Sequence, residues 1–331
     1  MLRIAHLIDD TQPGGVTRYL DFLKSDPAMA RIARHEIVPV PRTRPSSVRV
    51  EADVIVSHLT ITWRGLPGLM LLRAQNPGTP LIHIEHSYTA GFVAANVSAR
   101  ARFFTLLRSA YALFDHVVAV SDAQAAWLDA RGLVTPHALH VIRPCVDLAP
   151  FRSLPLPALK ARTFAAIGRF DTQKGFDIAV RAFRELPGDD LRLHLIGDGP
   201  ELASLKALAE GDTRISFPGF ATDPAEALAT CDAIMMPSRW EAYGLVALEA
   251  MAARRPVLAA SIDGLQDHIA EGAIRVPDVT LASWCDALAT ATNGLVCANP
   301  RADAESQTSS AWEALIDGLG LREPTAVRLA A

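Results

Sequence analysis

An α/β fold of two doubly wound parallel sheets is what this sequence predicts, on three observations. Short β-like runs alternate with helical patterns throughout, the order that builds parallel sheets covered by helices. The alternation passes through six strands, breaks at a proline-rich stretch from Pro144 to Leu159, and passes through six more. The length, 331 residues, suffices for two domains that each bury a core. The expected division is a first domain at 1–150 and a second at 151–331. Doubly wound domains bind ligands beyond the carboxyl ends of their strands, so the two are expected to face each other across a binding cleft.

In order, the first-half strands fall at 3–8, 36–40, 53–57, 80–85, 116–120 and 139–142. Each is a short apolar run such as Val54-Ile55-Val56. Helical spacing occupies 15–24, 63–74, 98–113 and 122–131. Second-half strands fall near 163–168, 191–196, 214–217, 233–236, 256–260 and 273–276. Helices there are expected near 175–186, 200–209, 223–230, 244–253, 264–270 and 280–290. The four prolines of 144–159, with little periodicity, mark a hinge. The polar segment 298–311 reads as loose, and a helix near 309–318 is expected to pack back toward the first domain.

Composition narrows the class. Half the residues are hydrophobic and the net charge is −4, which argues against disorder and against a nucleic-acid-coating surface. Cys145, Cys231, Cys285 and Cys297 form no C-x-x-C pair and read as thiols in a reducing compartment. The first ten residues are too short and too soon acidic for a signal peptide. No run of about eighteen apolar residues could span a membrane. The expectation is a cytoplasmic chain.

The most informative stretch runs from Pro237 to Ala252. From Gly244 to Ala253 every residue is apolar or small except Glu249, and Leu245, Leu248, Met251 and Ala252 recur at helical spacing. A carboxylate on so buried a helix is costly unless something hydrogen-bonds it. Glu241 stands eight residues upstream, on the loop that feeds the helix. Two carboxylates therefore bracket a helix N-terminus, whose unpaired N–H groups and dipole attract anions. A ligand bearing both phosphate and hydroxyls satisfies every part. Arg169 and Lys174, at a strand end and at the start of the next helix, could reach one diphosphate, one as a planar fork and the other as a point charge. Taken singly, they read equally as solvated surface charges.

Gly168-Arg169-Phe170-Asp171-Thr172-Gln173-Lys174-Gly175 resembles the G-R-x-x-x-x-K-G stretch of retaining GT-B glycosyltransferases of family 4, also called group 1. Glu241 to Glu249 resembles the E-x7-E signature of that family. Ile196-Gly197-Asp198-Gly199-Pro200, Phe217-Pro218-Gly219-Phe220, Gly14-Gly15, His86 and Val120-Ser121-Asp122 fall in the family's order, so the resemblance covers nearly the whole chain. It implies a GT-B fold of two Rossmann-like domains. It also implies transfer of a hexosyl group, with retention, from a UDP- or GDP-linked sugar to a hydroxyl acceptor, in bacterial polysaccharide, lipopolysaccharide or glycolipid assembly.

Residue by residue, the resemblance implies that Arg169 and Lys174 clamp the diphosphate while Glu241 and His86 hold hydroxyls of the donor sugar. Glu249 would accept the ribose hydroxyls, and the backbone from Ala242 through Tyr243 and Gly244 to Leu245 would meet sugar and phosphate. The base would lie against Phe220 and Ala221. Gly14 and Gly15 would let their loop approach the diphosphate closely, as only glycine permits. No metal or other cofactor is implied, and the chain carries no D-x-D. Two cations and a helix tip can stabilise a departing diphosphate themselves. No general base is assigned, because the leaving oxygen takes the acceptor proton. Phe220 reads equally as core, His86 also as a structural histidine, Gly14-Gly15 also as a bare turn, and His58 better as structural.

Two places depart from the family pattern. Pro144-Cys145-Val146-Asp147 stands where relatives carry N-G-V-D, and Asp263-Gly264-Leu265-Gln266-Asp267 stands where they carry G-G-x-x-E. A turn and a contact to the nucleotide sugar could differ there. The basic and aromatic stretch Ser98 to Tyr111 and, more weakly, Trp63 to Met70 could meet an anionic inner-membrane surface and a lipid-linked or other saccharide acceptor. More often such a helix is core with an arginine-bearing outer face. Two rivals remain: a non-hydrolysing sugar-nucleotide epimerase of the same architecture, and a non-catalytic sugar-nucleotide-binding subunit. No acid/base pair asks for the first, and intact Arg169, Lys174 and Glu241 argue against the second.

Overall fold

The computed structural model describes residues 1–158, 160–294 and 301–321. The chain folds into two compact units. One joins Met1–Ser87, Ser98–Val146 and the described residues from Asp303 onward. The other joins Tyr88–Val97 with the described residues from Asp147 to Ala302.

The first unit is built on β1 (Arg3–Ile8), β2 (Arg34–Pro39), β3 (Val54–Ser57), β4 (Leu81–Glu85), β5 (His116–Ala119) and β6 (Leu139–Val141). These pair in the order β2-β1-β3-β4-β5-β6, all parallel. The second unit is built on β7 (Thr163–Ile167), β8 (Arg192–Ile196), β9 (Ile215–Gly219), β10 (Ala233–Met236), β11 (Val257–Ala260) and β12 (Ile274–Val276). Their order is β12-β11-β10-β7-β8-β9, again all parallel. All twelve expected strands form. Parallel strands covered on both faces must be apolar along their length, and β3, β4, β10 and β11 are buried at every position.

The strand orders decide where loops can gather. In the first unit the winding reverses between β1 and β3, and in the second between β7 and β10. At such a reversal, consecutive crossovers leave in opposite directions and open a crevice at the carboxyl ends. Arg169 follows β7, and the loop carrying Glu241 follows β10.

Helices missing from the sequence reading are Pro27–Ile32, Ala90–Asn96 and Ala149–Arg152, each too short to show a period. One expectation is overturned. Residues 304–311 are not loose, because they belong to the helix Ala304–Gly318; residues 298–300 lie outside the described residues. The misleading feature is that this helix buries polar residues, Thr308 and Ser309, beside Trp312, Leu315 and Ile316. The Thr308 hydroxyl is satisfied against the carbonyls of Ala304 (3.1 Å) and Arg143 (2.9 Å), so burial costs little. Trp312 is fully buried and its Nε1 donates to the Tyr19 hydroxyl at 2.7 Å.

The helix Arg100–Tyr111 buries Leu106, Leu107, Ala110 and Tyr111 and exposes Arg100, Arg102 and Arg108. Trp63 is exposed, with the Arg102 guanidinium 5.4 Å above its ring. Among the described residues no helix is long and apolar enough to cross a membrane.

Candidate functional site

In the second unit, the loops after β7 and β10 are fastened together. After β7 the chain makes a turn of 3-10 helix at Thr172–Lys174, then Gly175, then the helix Phe176–Arg184. Gly175 is left-handed (φ +64), and a Cβ there would lie 2.1 Å from the Pro237 carbonyl oxygen. Only glycine allows the two loops to come this close. Arg239 donates its backbone N–H to the Gln173 carbonyl (2.7 Å), and the Gln173 amide donates to the Trp240 carbonyl (3.1 Å). The Arg239 guanidinium meets both carboxylate oxygens of Asp177 at 2.9 Å and the Thr172 carbonyl at 2.9 Å. Burial alone would raise the Asp177 pKa, but the hydrogen bonds and charge of Arg239 hold it below the usual value.

This lacing carries Lys174 to Glu241, where ammonium and carboxylate form a hydrogen-bonded ion pair. Glu241 is buried, its backbone N–H donates to Asp263 Oδ2 (3.3 Å), and its carbonyl accepts from Gly264 N–H (2.9 Å). Ala242 and Tyr243 are buried, and the Tyr243 ring packs on His268 with centroids 4.5 Å apart. Gly244, at φ +93, then turns the chain into the helix Leu245–Ala252. Glu249 lies within that helix and is 1% exposed.

Arg169 differs from Lys174. Its side chain is 73% exposed and the carboxylate beside it is that of Asp171, at 3.9 Å. The structure therefore brings Lys174 and Glu241 together and leaves Arg169 at the rim. Phe220 is not core, being 62% exposed. With Asp198, Leu202, Lys206 and Phe217 it lines a cavity of about 190 Å³, over which the Lys206 ammonium stands 6.0 Å from the Phe217 ring. Ala221 follows Phe220 and is half-buried.

Asp263, noted in the sequence only as a departure, gathers three donors within this unit. The Thr89 hydroxyl (2.6 Å), the Gly91 N–H (3.0 Å) and the Glu241 N–H (3.3 Å) all reach its carboxylate. Burial raises its pKa against those hydrogen bonds. No local pattern announces this role, because the donors lie 172 to 174 and 22 residues away.

In the first unit, Gly14 and Gly15 are exposed at the carboxyl end of β1, where the Gly14 N–H donates to Thr17 Oγ1 at 2.9 Å. His86 follows β4, and its Nε2 lies 2.8 Å from Nδ1 of His58. His58 is thereby tied to a residue the family reading singles out.

Comparison with known proteins follows the division into halves. Residues 13–150 match the model of Glycosyltransferase Family 4, and residues 161–297 match that of Glycosyl transferases group 1. D-inositol 3-phosphate glycosyltransferase of Mycobacterium marinum is 33% identical over 235 residues, covering 62% of this chain and 49% of that protein. The Mycobacterium bovis protein of the same name is 31% identical over 232 residues, covering 62% of this chain and 47% of its own length. The chain thus spans about half the length of the curated relatives it matches. Among solved structures, a sucrose-phosphate synthase of Thermosynechococcus elongatus superposes with TM-score 0.70 at 20% identity, covering 97% of this chain and 98% of that one. HepE of Anabaena, solved with UDP and glucose, gives 0.66 at 18%, covering 96% and 95%. Both superpositions establish the two-sheet fold described above.

Proposed function

Because the chain belongs to the group 1, family 4 glycosyltransferases and has the GT-B fold, we propose that it transfers a hexosyl group, with retention, from a nucleoside-diphosphate sugar to a hydroxyl acceptor. The observation that carries this reading is the meeting of Lys174 with Glu241 just ahead of the helix Leu245–Ala252, at the winding reversal of the second sheet. Departure of a nucleoside diphosphate builds negative charge. A fixed ammonium and a helix N-terminus stabilise that charge without reorganising, which is the largest lever such a site has. To the exposed Arg169, beside Asp171, we assign a second contact to the diphosphate.

Glu241 and His86 address sugar hydroxyls, Glu249 the ribose, and the Phe220 cavity the base. UDP-linked and GDP-linked donors are both within this reading. The acceptor proton goes to the departing phosphate oxygen, so no side chain acts as general base and no metal is required. The biological setting we assign is assembly of a bacterial polysaccharide, lipopolysaccharide or glycolipid.

Incubation with a panel of UDP- and GDP-sugars, together with candidate polyol and saccharide acceptors, tests the reading by release of nucleoside diphosphate. Release that depends on acceptor supports it and names the donor. Isomerised donor without transfer would show an epimerase, and saturable binding without any turnover would show a binding subunit.

A further inference from the structure

Asp263 stands just past β11 with φ +37, a left-handed conformation that glycine adopts freely and a residue with a side chain does not. A glycine is what the family pattern carries at this place. The carboxylate is therefore kept in spite of its backbone, and its contacts show what it does there. Two of its three donors, the Thr89 hydroxyl (2.6 Å) and the Gly91 N–H (3.0 Å), lie on the arm Tyr88–Val97. The third, the Glu241 N–H (3.3 Å), lies on the loop after β10. One side chain thus bridges two segments of the second unit.

The bridge is reinforced on both sides. Thr89 is 1% exposed, and its hydroxyl accepts from the Phe92 N–H (3.1 Å) while donating to Asp263. The Phe92 ring stands edge-on to Trp240, with centroids 6.1 Å apart. A Cβ on Gly91 would lie 2.5 Å from Asp263 Oδ2 and 3.0 Å from the Trp240 Cβ, so a larger residue would push the arm off the loop. On the loop itself, consecutive residues hold both polar groups of Glu241: Asp263 accepts its N–H, and the Gly264 N–H donates to its carbonyl at 2.9 Å. Fixing both ends of that residue fixes the direction in which its side chain leaves the backbone. Lys174 is set separately, by the lacing of the loops after β7 and β10 through Gln173.

We propose that Asp263 is a positioning residue for recognition of the donor sugar: by bridging the arm Tyr88–Val97 to the loop after β10 it fixes the Glu241 backbone and so aims the Glu241 carboxylate at the sugar hydroxyls. This rests on the reading of Glu241 as a ligand of that sugar. Asp263 itself touches no substrate. The consequence is selective, because the diphosphate meets Lys174 and the helix tip, which the bridge does not set. Loss of the bridge should weaken what the sugar adds to binding and turnover, and spare binding of the nucleoside diphosphate alone.

Asp263→Gly is the informative variant, because glycine accepts the left-handed backbone and only the carboxylate is lost. Amide hydrogen exchange of the whole protein reads the bridge without substrate. The Gly91 and Glu241 amides should exchange roughly tenfold faster or more in the variant, with β10 and the helix Leu245–Ala252 unchanged; unaltered exchange at both amides overturns the bridge. Calorimetry with UDP, GDP and their sugar esters, together with the transfer assay, reads the aim. Affinity for the bare diphosphate should stay within about twofold, while kcat with the sugar donor falls roughly tenfold. Equal losses with and without the sugar would show a merely structural role, and an unchanged kcat would also overturn the proposal. Asp263→Asn keeps one acceptor oxygen but turns an amide NH2 toward the N–H of Gly91 or Glu241, and should fall between. Should Asp263→Gly not fold, Thr89→Val removes one donor and should shift the same readouts in the same direction, and no shift there overturns the bridge. Wild-type protein that neither binds nor turns over any of these donors would sink the glycosyl-transfer reading, while exchange at the two amides still judged the bridge.

Discussion

Lys174 and Glu241, 67 residues apart in sequence, form one ion pair between the two loops that end β7 and β10. The pair is largely buried, with side-chain exposures of 21% and 10%, so removing the ammonium leaves the Glu241 carboxylate without that partner. In the proposed reaction its value lies in what the ammonium does when a diphosphate leaves. Lys174→Ala should lower kcat by roughly 10² or more while costing stability about 1–3 kcal/mol, from the carboxylate left unpaired. Released nucleoside diphosphate and thermal unfolding measure the two sides, and an unchanged kcat removes the clamp from the mechanism.

Gly175→Ala addresses the lacing itself. A methyl at φ +64 and 2.1 Å from the Pro237 oxygen must push the loops apart. We expect a loss of about 1–3 kcal/mol or more in chemical denaturation, together with a fall in turnover. A variant as stable as the parent would show that the loops are not held at this separation.

The Trp312 to Tyr19 hydrogen bond is buried at both ends. Trp312→Phe leaves a hydroxyl without its partner and a gap beside His6 and His35, and should destabilise by about 2–4 kcal/mol. In Tyr19→Phe the indole N–H is orphaned instead. A double-mutant cycle should show coupling, and strictly additive losses would contradict the bond.

His35, His6, His58 and His86, each within hydrogen-bonding distance of the next at 2.8 to 2.9 Å, form a histidine file that should make the protein acid-labile. Burial, the largest cause in each case, depresses the folded pKa of all four rings below the ordinary 6.5. The unfolded chain therefore binds more protons between those values. Their contribution is fully present above pH 6.5 and is lost as pH falls toward about 4, the folded value of His35 and His86. Urea titrations at pH 7 and pH 5 should differ by about 1–2 kcal/mol for each of His35 and His86, with His6 and His58 acting in the same direction. Equal midpoints at the two pH values would contradict neutral burial of the file.

Chelation tests the metal-free reading of leaving-group stabilisation. EDTA should leave transfer intact if, as proposed, Lys174 and the helix tip meet the charge. Abolition by EDTA with recovery on adding manganese would overturn it.

Most of the fold was legible because parallel strands buried on both faces must be continuous apolar runs, and such runs stand out between helical periods. The helix Ala304–Gly318 was half hidden because Thr308 and Ser309 face inward, satisfied by carbonyls that sequence cannot place. Pro27–Ile32 and Ala149–Arg152 are shorter than two helical turns, too short to display amphipathic spacing. At the site, local pattern points to Lys174, Glu241, Gly244 and Arg169 together; the structure pairs the first two and turns the chain at Gly244, while the Arg169 side chain stands exposed. Asp263 and the histidine file escaped because each collects partners from distant segments. A partial signal existed: His6, His35, His58 and His86 lie on or directly after four neighbouring strands of one sheet.

The path of the chain has a practical outcome for anyone wishing to study one unit alone. Tyr88–Val97 belongs with the second unit although residues of the first flank it on both sides, and Trp312 belongs with the first although the second precedes it. Severing the gene at codon 147 would not yield two autonomous fragments. The leading fragment would keep Thr89 and Gly91 but leave their carboxylate, Asp263, on the other piece, and would forfeit the indole that covers Tyr19. Co-expressed fragments, or a circular permutant opened elsewhere, are the workable routes.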